Sequence, residues 1–247
     1  MAGITVHAEE IALSEPMLVE GLPGLGLVGK IATDHLIDEF DMTHYANVRC
    51  QGLPRMGIYQ QDDRAVKPPV RIYADEETDL LALESDVPVS ASAAKNFASC
   101  VTDWLEEQGA FPIYVSGFPD NEQNSPPSCY GVATGTAGSL LDEIDVAPPT
   151  QDGGVSGPTG ALLHEAADRR VDGVGVIVES NPQFPDPEAA SVVIESAVEP
   201  LAGIDVDVEV LRETATQIRE QREQLAQQLQ QADIDESTQA QPLRMFQ

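Results

Sequence analysis

The run Gly21-Leu22-Pro23-Gly24-Leu25-Gly26-Leu27-Val28-Gly29-Lys30 is the stretch whose residue types and spacing point most directly to ligand chemistry. Gly24, Gly26 and Gly29 satisfy G-x-G-x-x-G, the pattern in which a strand-to-helix loop brings its backbone against a pyrophosphate. Lys30 follows at the start of a helix, and Gly153 to Gly160 is a second glycine-bearing loop, so a nucleotide, nucleoside or phosphate ligand is one reading of the run. A dinucleotide site also needs a carboxylate about 20 residues on, to hold the ribose hydroxyl. The next strand candidate, Tyr45 to Arg49, ends in Arg49, Cys50 and Gln51, with no acid. The other reading needs only backbone geometry: the glycines permit a tight turn with positive φ and let the following helix lie close on the sheet, and Pro23 suits that turn.

Catalysis finds no support elsewhere. His35 falls on the apolar face of the first helix, where a histidine packs, and His7, His44 and His164 lack partners at metal-ligand spacing. Asp34 and Asp38 share a helix face, as expected by chance in so acidic a chain. HExxH, nucleophile-elbow and Walker A patterns are missing. No catalytic residue, metal or cofactor is assigned.

The elements that must position these residues alternate. Strand-like runs lie at Met17 to Val19, Tyr45 to Arg49, Val70 to Tyr73, Leu80 to Glu84, Phe111 to Ser116, Tyr130 to Thr134, Val174 to Glu179 and Ile204 to Val208. Helical patterns between them are clearest at Leu25 to Phe40, Val89 to Gln108, Gly160 to Arg170 and Pro187 to Leu201. Gly109 is placed to end the second helix, and Asp186 with Pro187 to start the fourth. This alternation predicts an α/β layered fold with a mostly parallel sheet flanked by helices over residues 1–210. Asp120 to Ser128 and Ala147 to Pro158 read as loops. From Leu211 the pattern changes: Leu211, Ala215, Ile218, Leu225 and Leu229 keep a 4,3 spacing, which predicts an amphipathic helix over 211–231 that packs on its own domain or on other copies of the chain. Residues 232–247 read as a polar, acidic, flexible tail.

Composition removes whole classes of partner. With 42 acidic and 13 basic residues the formal net charge is -29, and only Lys30, Lys67 and Lys95 are lysines. Nucleic acids and anionic membranes both select for Lys and Arg, so neither is an expected partner. The acid is spread along the chain, which suggests a halophilic cytoplasm where salt screens self-repulsion; unfolding in low salt is the expected behaviour. Cys50, Cys100 and Cys129 are odd in number and widely spaced, and read as reduced, mostly buried thiols. No run of 18 apolar residues occurs and the first ten residues lack a signal pattern, so a cytoplasmic location is expected.

Four blocks in order carry a family resemblance: Gly21 to Ala32 with Asp34-His35-Leu36-Ile37; Ser116-Gly117-Phe118 after an apolar strand; Gly157-Pro158-Thr159-Gly160-Ala161-Leu162-Leu163; and Pro185-Asp186-Pro187-Glu188-Ala189-Ala190. Together they resemble the proteasome assembly chaperone 2 family and its archaeal homologues over about residues 10 to 230. The resemblance implies a fold akin to nucleoside phosphorylases, no enzymatic activity, self-association as a homo-oligomer, and the proteasome core particle or its α-subunits as partner. Met245-Phe246-Gln247 resembles the hydrophobic-tyrosine-any motif that such proteins insert between α-subunits, with Phe246 in the place of tyrosine. An aromatic ring would fill an apolar slot and a terminal carboxylate would meet a lysine. Under this reading Leu211, Ile218, Leu225 and Leu229 line the oligomer helix, while Gly21, Pro23, Gly24, Gly26, Gly29 and Lys30 shape the domain.

Overall fold

A computed structural model describes residues 3–59, 61, 64–119, 126–221 and 224. Eight strands form one sheet in the order β1-β3-β4-β5-β2-β6-β8-β7. They are β1 (Ile4–Val6), β2 (Met17–Gly21), β3 (Thr43–Val48), β4 (Val70–Asp75), β5 (Leu80–Ser85), β6 (Phe111–Pro119), β7 (Cys129–Thr134) and β8 (Gly173–Ser180). The centre, β5-β2-β6-β8, is parallel, and the flanks through β4, β3 and β1 on one side and β7 on the other are antiparallel. The α/β layered class expected from the alternation holds, but the sheet is mixed and not mostly parallel: among the described residues three strand pairings are parallel and four antiparallel, and β3, β4 and β5 follow one another without the crossover helix that would make them parallel.

The central strands are near-continuous apolar runs because helices cover both faces. Side chains alternate between two cores. Val19, Leu80, Ala82, Ile113 and Val115 face one side, against α1 (Val28–Glu39) and α5 (Pro187–Val193). Leu18, Leu81, Leu83 and Tyr114 face the other, against α2 (Ala91–Gln108) and α4 (Gly157–Arg169). On α2 the buried Phe97, Val101, Trp104 and Leu105 keep helical spacing, and Gly109 ends the helix at φ 64. Asp186 caps α5 by accepting a bond from the Ala189 N–H, as the sequence predicts.

Three elements depart from the sequence expectation. The strand β1 and the short helix α3 (Gly138–Glu143) are additional, and residues 204–208, expected as a strand, form no regular element. Beyond α5 the chain passes through a π-helical turn, Ile194–Val198, into α6 (Glu199–Ala202). Pro200 there has no N–H to give an i−4 bond, which accounts for the widened turn before it.

A last helix, α7 (209–221), lies on α5. Arg212 pairs with Glu195 at 2.5 Å and Arg219 with Glu188 at 3.2 Å. The later residue of α7 meets the earlier residue of α5, so the two helices run antiparallel. Leu211 and Ala215 are buried against the chain's own body and Ile218 is half-buried. Leu225 and Leu229, expected on the same seam, lie outside the described residues, as does the 232–247 tail.

The three cysteines do not stay reduced as the sequence reading expects: Cys50 and Cys100 are joined in a disulfide that ties the segment after β3 to α2. They are 50 residues apart, and no local spacing betrays the pairing. Cys129 is a free, half-buried thiol whose pKa burial pushes up to about 11. No helix among the described residues is long and apolar enough to cross a membrane.

Candidate functional site

The glycine loop leaves the carboxyl end of β2 at the point where a parallel sheet sends its connections to opposite faces, the usual place for a ligand in open α/β folds. Its geometry is filled by the chain itself. Leu25–Leu27 form a single 3₁₀ turn and Gly26 sits at φ 64, a left-handed conformation suited to glycine. A side chain at Gly26 would put its Cβ 1.9 Å from the Ser180 hydroxyl, and the Gly26 carbonyl accepts the Asp186 N–H at 2.9 Å. At Gly117 on β6 a Cβ would lie 2.4 Å from the Leu25 carbonyl oxygen. Gly29 comes within 3.0 Å, by the same measure, of the Glu20 carbonyl oxygen, and Gly21 is pressed against Thr33. Gly24 alone has room for a Cβ, its nearest neighbour being the Leu22 carbonyl oxygen at 3.9 Å, and Pro23 is half-buried before it. The loop is thus clamped between the ends of β6 and β8 and the start of α5.

Lys30 does not point at a vacant anion site. Its ammonium bonds to Asp34 at 2.5 Å and to Glu84 at 2.8 Å. Burial works against its charge, but the two carboxylates outweigh it and raise the pKa. Glu84 also takes Arg71 at 2.6 Å, and Arg71, fully buried, bonds in addition to Asp86 at 2.6 Å and to the Pro68 carbonyl. Burial alone would raise the Glu84 pKa; Lys30 and Arg71 reverse that and lower it. Each charge in this chain of five residues is met by an opposite one.

Glu20, last but one in β2, is fully buried and is the hub of the site. Its carboxylate accepts the Leu22 N–H at 3.2 Å, the Val115 N–H at 3.1 Å and the Thr159 hydroxyl at 3.0 Å. Desolvation raises its pKa to about 7, against the lowering effect of those three donors. The Tyr114 hydroxyl is buried without a hydrogen-bond partner among the described residues, and burial together with Glu20 drives its pKa up. Sequence reasoning missed Glu20, Arg71, Glu84 and Thr159. The available signal was a single charge inside each apolar strand run: Leu18-Val19-Glu20, Val70-Arg71-Ile72 and Leu83-Glu84-Ser85.

His35 serves packing, its Nε2 lying 2.7 Å from the Asp207 carbonyl oxygen. Met245, Phe246 and Gln247 lie outside the described residues.

The sequence model of the PAC2 family matches residues 18–226, which takes in the glycine loop, the Glu20 hub and α7. The chain belongs to the PAC2 family. Its relatives include MJ1210 of Methanocaldococcus jannaschii, described as uncharacterized, 27% identical over 207 residues and spanning 82% of this chain and 80% of that protein. The fold is shared with Pyrococcus furiosus PbaA, described as an archaeal homolog of proteasome-assembly chaperone: TM-score 0.77, 23% identity, 98% of this chain and 100% of that one covered. It is shared as well with Pyrococcus furiosus PbaB, described as an archaeal proteasome activator: TM-score 0.76, 24% identity, coverage of 92% and 100%. Within this PAC2 chain the glycine motif marks a tightly packed strand-to-helix joint.

Proposed function

We propose that this protein is a non-enzymatic, proteasome-assembly-chaperone-like homo-oligomer of an archaeal, salt-rich cytoplasm that binds the proteasome core particle or its α-subunits. The observation that carries the reading is the end-to-end likeness to PbaA and PbaB within the PAC2 family. The site's chemistry agrees with it: the charged groups packed behind the glycine loop, Lys30, Asp34, Glu84, Arg71 and Asp86, are met by one another with three acids to two bases, which disfavours an anionic substrate such as a nucleotide in that loop. Contact with the partner is assigned to Met245, Phe246 and Gln247, and contact between copies to Ile218, Leu225 and Leu229, since Leu211, read from the sequence as a fourth contact, is taken up by the chain's own body. Several weak tails on one oligomer gain avidity by binding together.

A pull-down at high salt tests this, with the core particle and free α-subunits as bait and the intact protein compared with one lacking Met245 to Gln247. The expected result is capture by the intact protein and its loss on truncation. Failure of the intact protein to bind either bait would overturn the reading.

A further inference from the structure

Six of the seven large apolar side chains exposed among the described residues stand at one end of the sheet. Leu27, Phe118 and Phe184 rise from the glycine loop, the end of β6 and the β8–α5 connection; Met56, Tyr59 and Val66 come from the excursion between β3 and β4. The pairing of Val70 with Ser85 puts that excursion at the carboxyl end of the parallel strands, the end from which the glycine loop also leaves. Tyr59 is 82% and Val66 70% exposed. A cleft of about 510 Å³ lies under the excursion, walled by Leu53, Met56, Pro68 and Pro69.

The same end is where the scarce positive charge collects. Arg49, Arg55, Arg64 and Lys95 are exposed there, Lys95 on the second turn of α2, in a chain with 13 basic residues. Residues 49–67 hold four basic and two acidic residues within a protein of net charge -29. The β3–β4 excursion, an apolar and locally basic plateau on an acidic body, fits an acidic protein surface that offers apolar contacts of its own.

The direction of α7 selects the partner. Arg219 meets Glu188 at the start of α5, next to the end of β8, whereas Arg212 meets Glu195 two turns further along. The helix therefore runs toward the carboxyl end of the sheet, and its described part ends, at residue 221, on the side that carries the plateau. We propose that the plateau is a second docking surface for the partner that takes the tail, so that each copy grips one acidic protein face at two places. This rests on the function proposed above, and the partner is then the α-subunit face of the core particle.

The experiment measures core-particle binding at high salt for five proteins: the intact chain, a chain lacking Met245 to Gln247, Met56→Asp/Tyr59→Asp/Val66→Asp, Arg55→Glu/Arg64→Glu, and the triple variant joined to the truncation. All five altered side chains are exposed, so melting temperature and mass by light scattering should match the intact chain. Each plateau variant should bind at least ten times more weakly, and the triple variant joined to the truncation should lose binding altogether. Plateau variants that bind like the intact chain, while truncation alone abolishes binding, would overturn this proposal and leave the tail reading standing. A change of mass in the plateau variants would make the surface a contact between copies and overturn it as well. No binding by the intact chain would overturn both.

Discussion

Glu20 and Thr159, 139 residues apart in the chain, meet through a hydrogen bond of 3.0 Å from the hydroxyl to a carboxylate that no solvent reaches. That bond, with those from Leu22 and Val115, fastens the glycine loop, β6 and α4 to the end of β2. The same burial raises the pKa of Glu20 from 4.5 to about 7. The folded state therefore holds more protons than the unfolded state between those values, and stability falls as pH rises through that window, by about 3 kcal/mol in all. Glu20→Gln cannot titrate, although its amide sets an NH₂ against one of the three donors and weakens the fold at every pH. Denaturant midpoints of both proteins from pH 4.5 to 8 should show the intact chain losing ground to the variant up to about pH 7, then holding level. A constant difference across that range would refute the assignment.

Gly117 faces the Leu25 carbonyl oxygen so closely that Gly117→Ala places a Cβ 2.4 Å from it. The obstacle is backbone, so the loop must shift, at a loss of about 1–3 kcal/mol. Gly154→Ala, with nothing within 4 Å, is the control and should change stability by less than about 0.5 kcal/mol. Thermal melts of the two variants decide whether the glycine motif serves packing. Equal melting temperatures would count against it.

The parts of the fold that were legible in the sequence are those whose pattern is local. The alternation of apolar strands with helices, the stop at Gly109 and the cap at Asp186 each depend on a few neighbouring residues, and each is found as expected. Ile204 to Val208 reads as a strand because its apolar residues alternate, yet Val206 and Val208 bury themselves without a strand partner. Pairings across the chain left no local trace: Cys50 with Cys100, Glu20 with Thr159, Arg71 with Glu84. The glycine motif was legible as a turn, but its tightness depends on Ser180 and Gly117, which only the fold brings to it.

Arg71 is fully buried between Glu84 and Asp86, so removing it takes the paired cation from Asp86 and one of two cations from Glu84, which keeps Lys30. Breaking a buried pair from one side typically destabilises by about 3–5 kcal/mol. Arg71→Met should fall in that range by urea denaturation. Adding Glu84→Gln removes the Glu84 charge, and the double variant should be more stable than the sum of the single losses indicates. Strict additivity would mean that the two side chains do not act as a pair.

The Cys50–Cys100 bridge joins residues 50 apart, with Cα atoms at 5.9 Å. Closing a loop of that size in the unfolded chain is worth about 4 kcal/mol in the chain-entropy model. Thiol titration of the unfolded protein without reductant should find one reactive cysteine, Cys129, and three after reduction. Cys50→Ser/Cys100→Ser, or reductant alone, should lower stability by about 2–4 kcal/mol and loosen the β3–β4 excursion that Cys50 anchors to α2. Three free thiols in protein purified under anaerobic conditions would show that the two sulfurs meet reduced, and the predicted loss on substitution would shrink to that of two packed side chains.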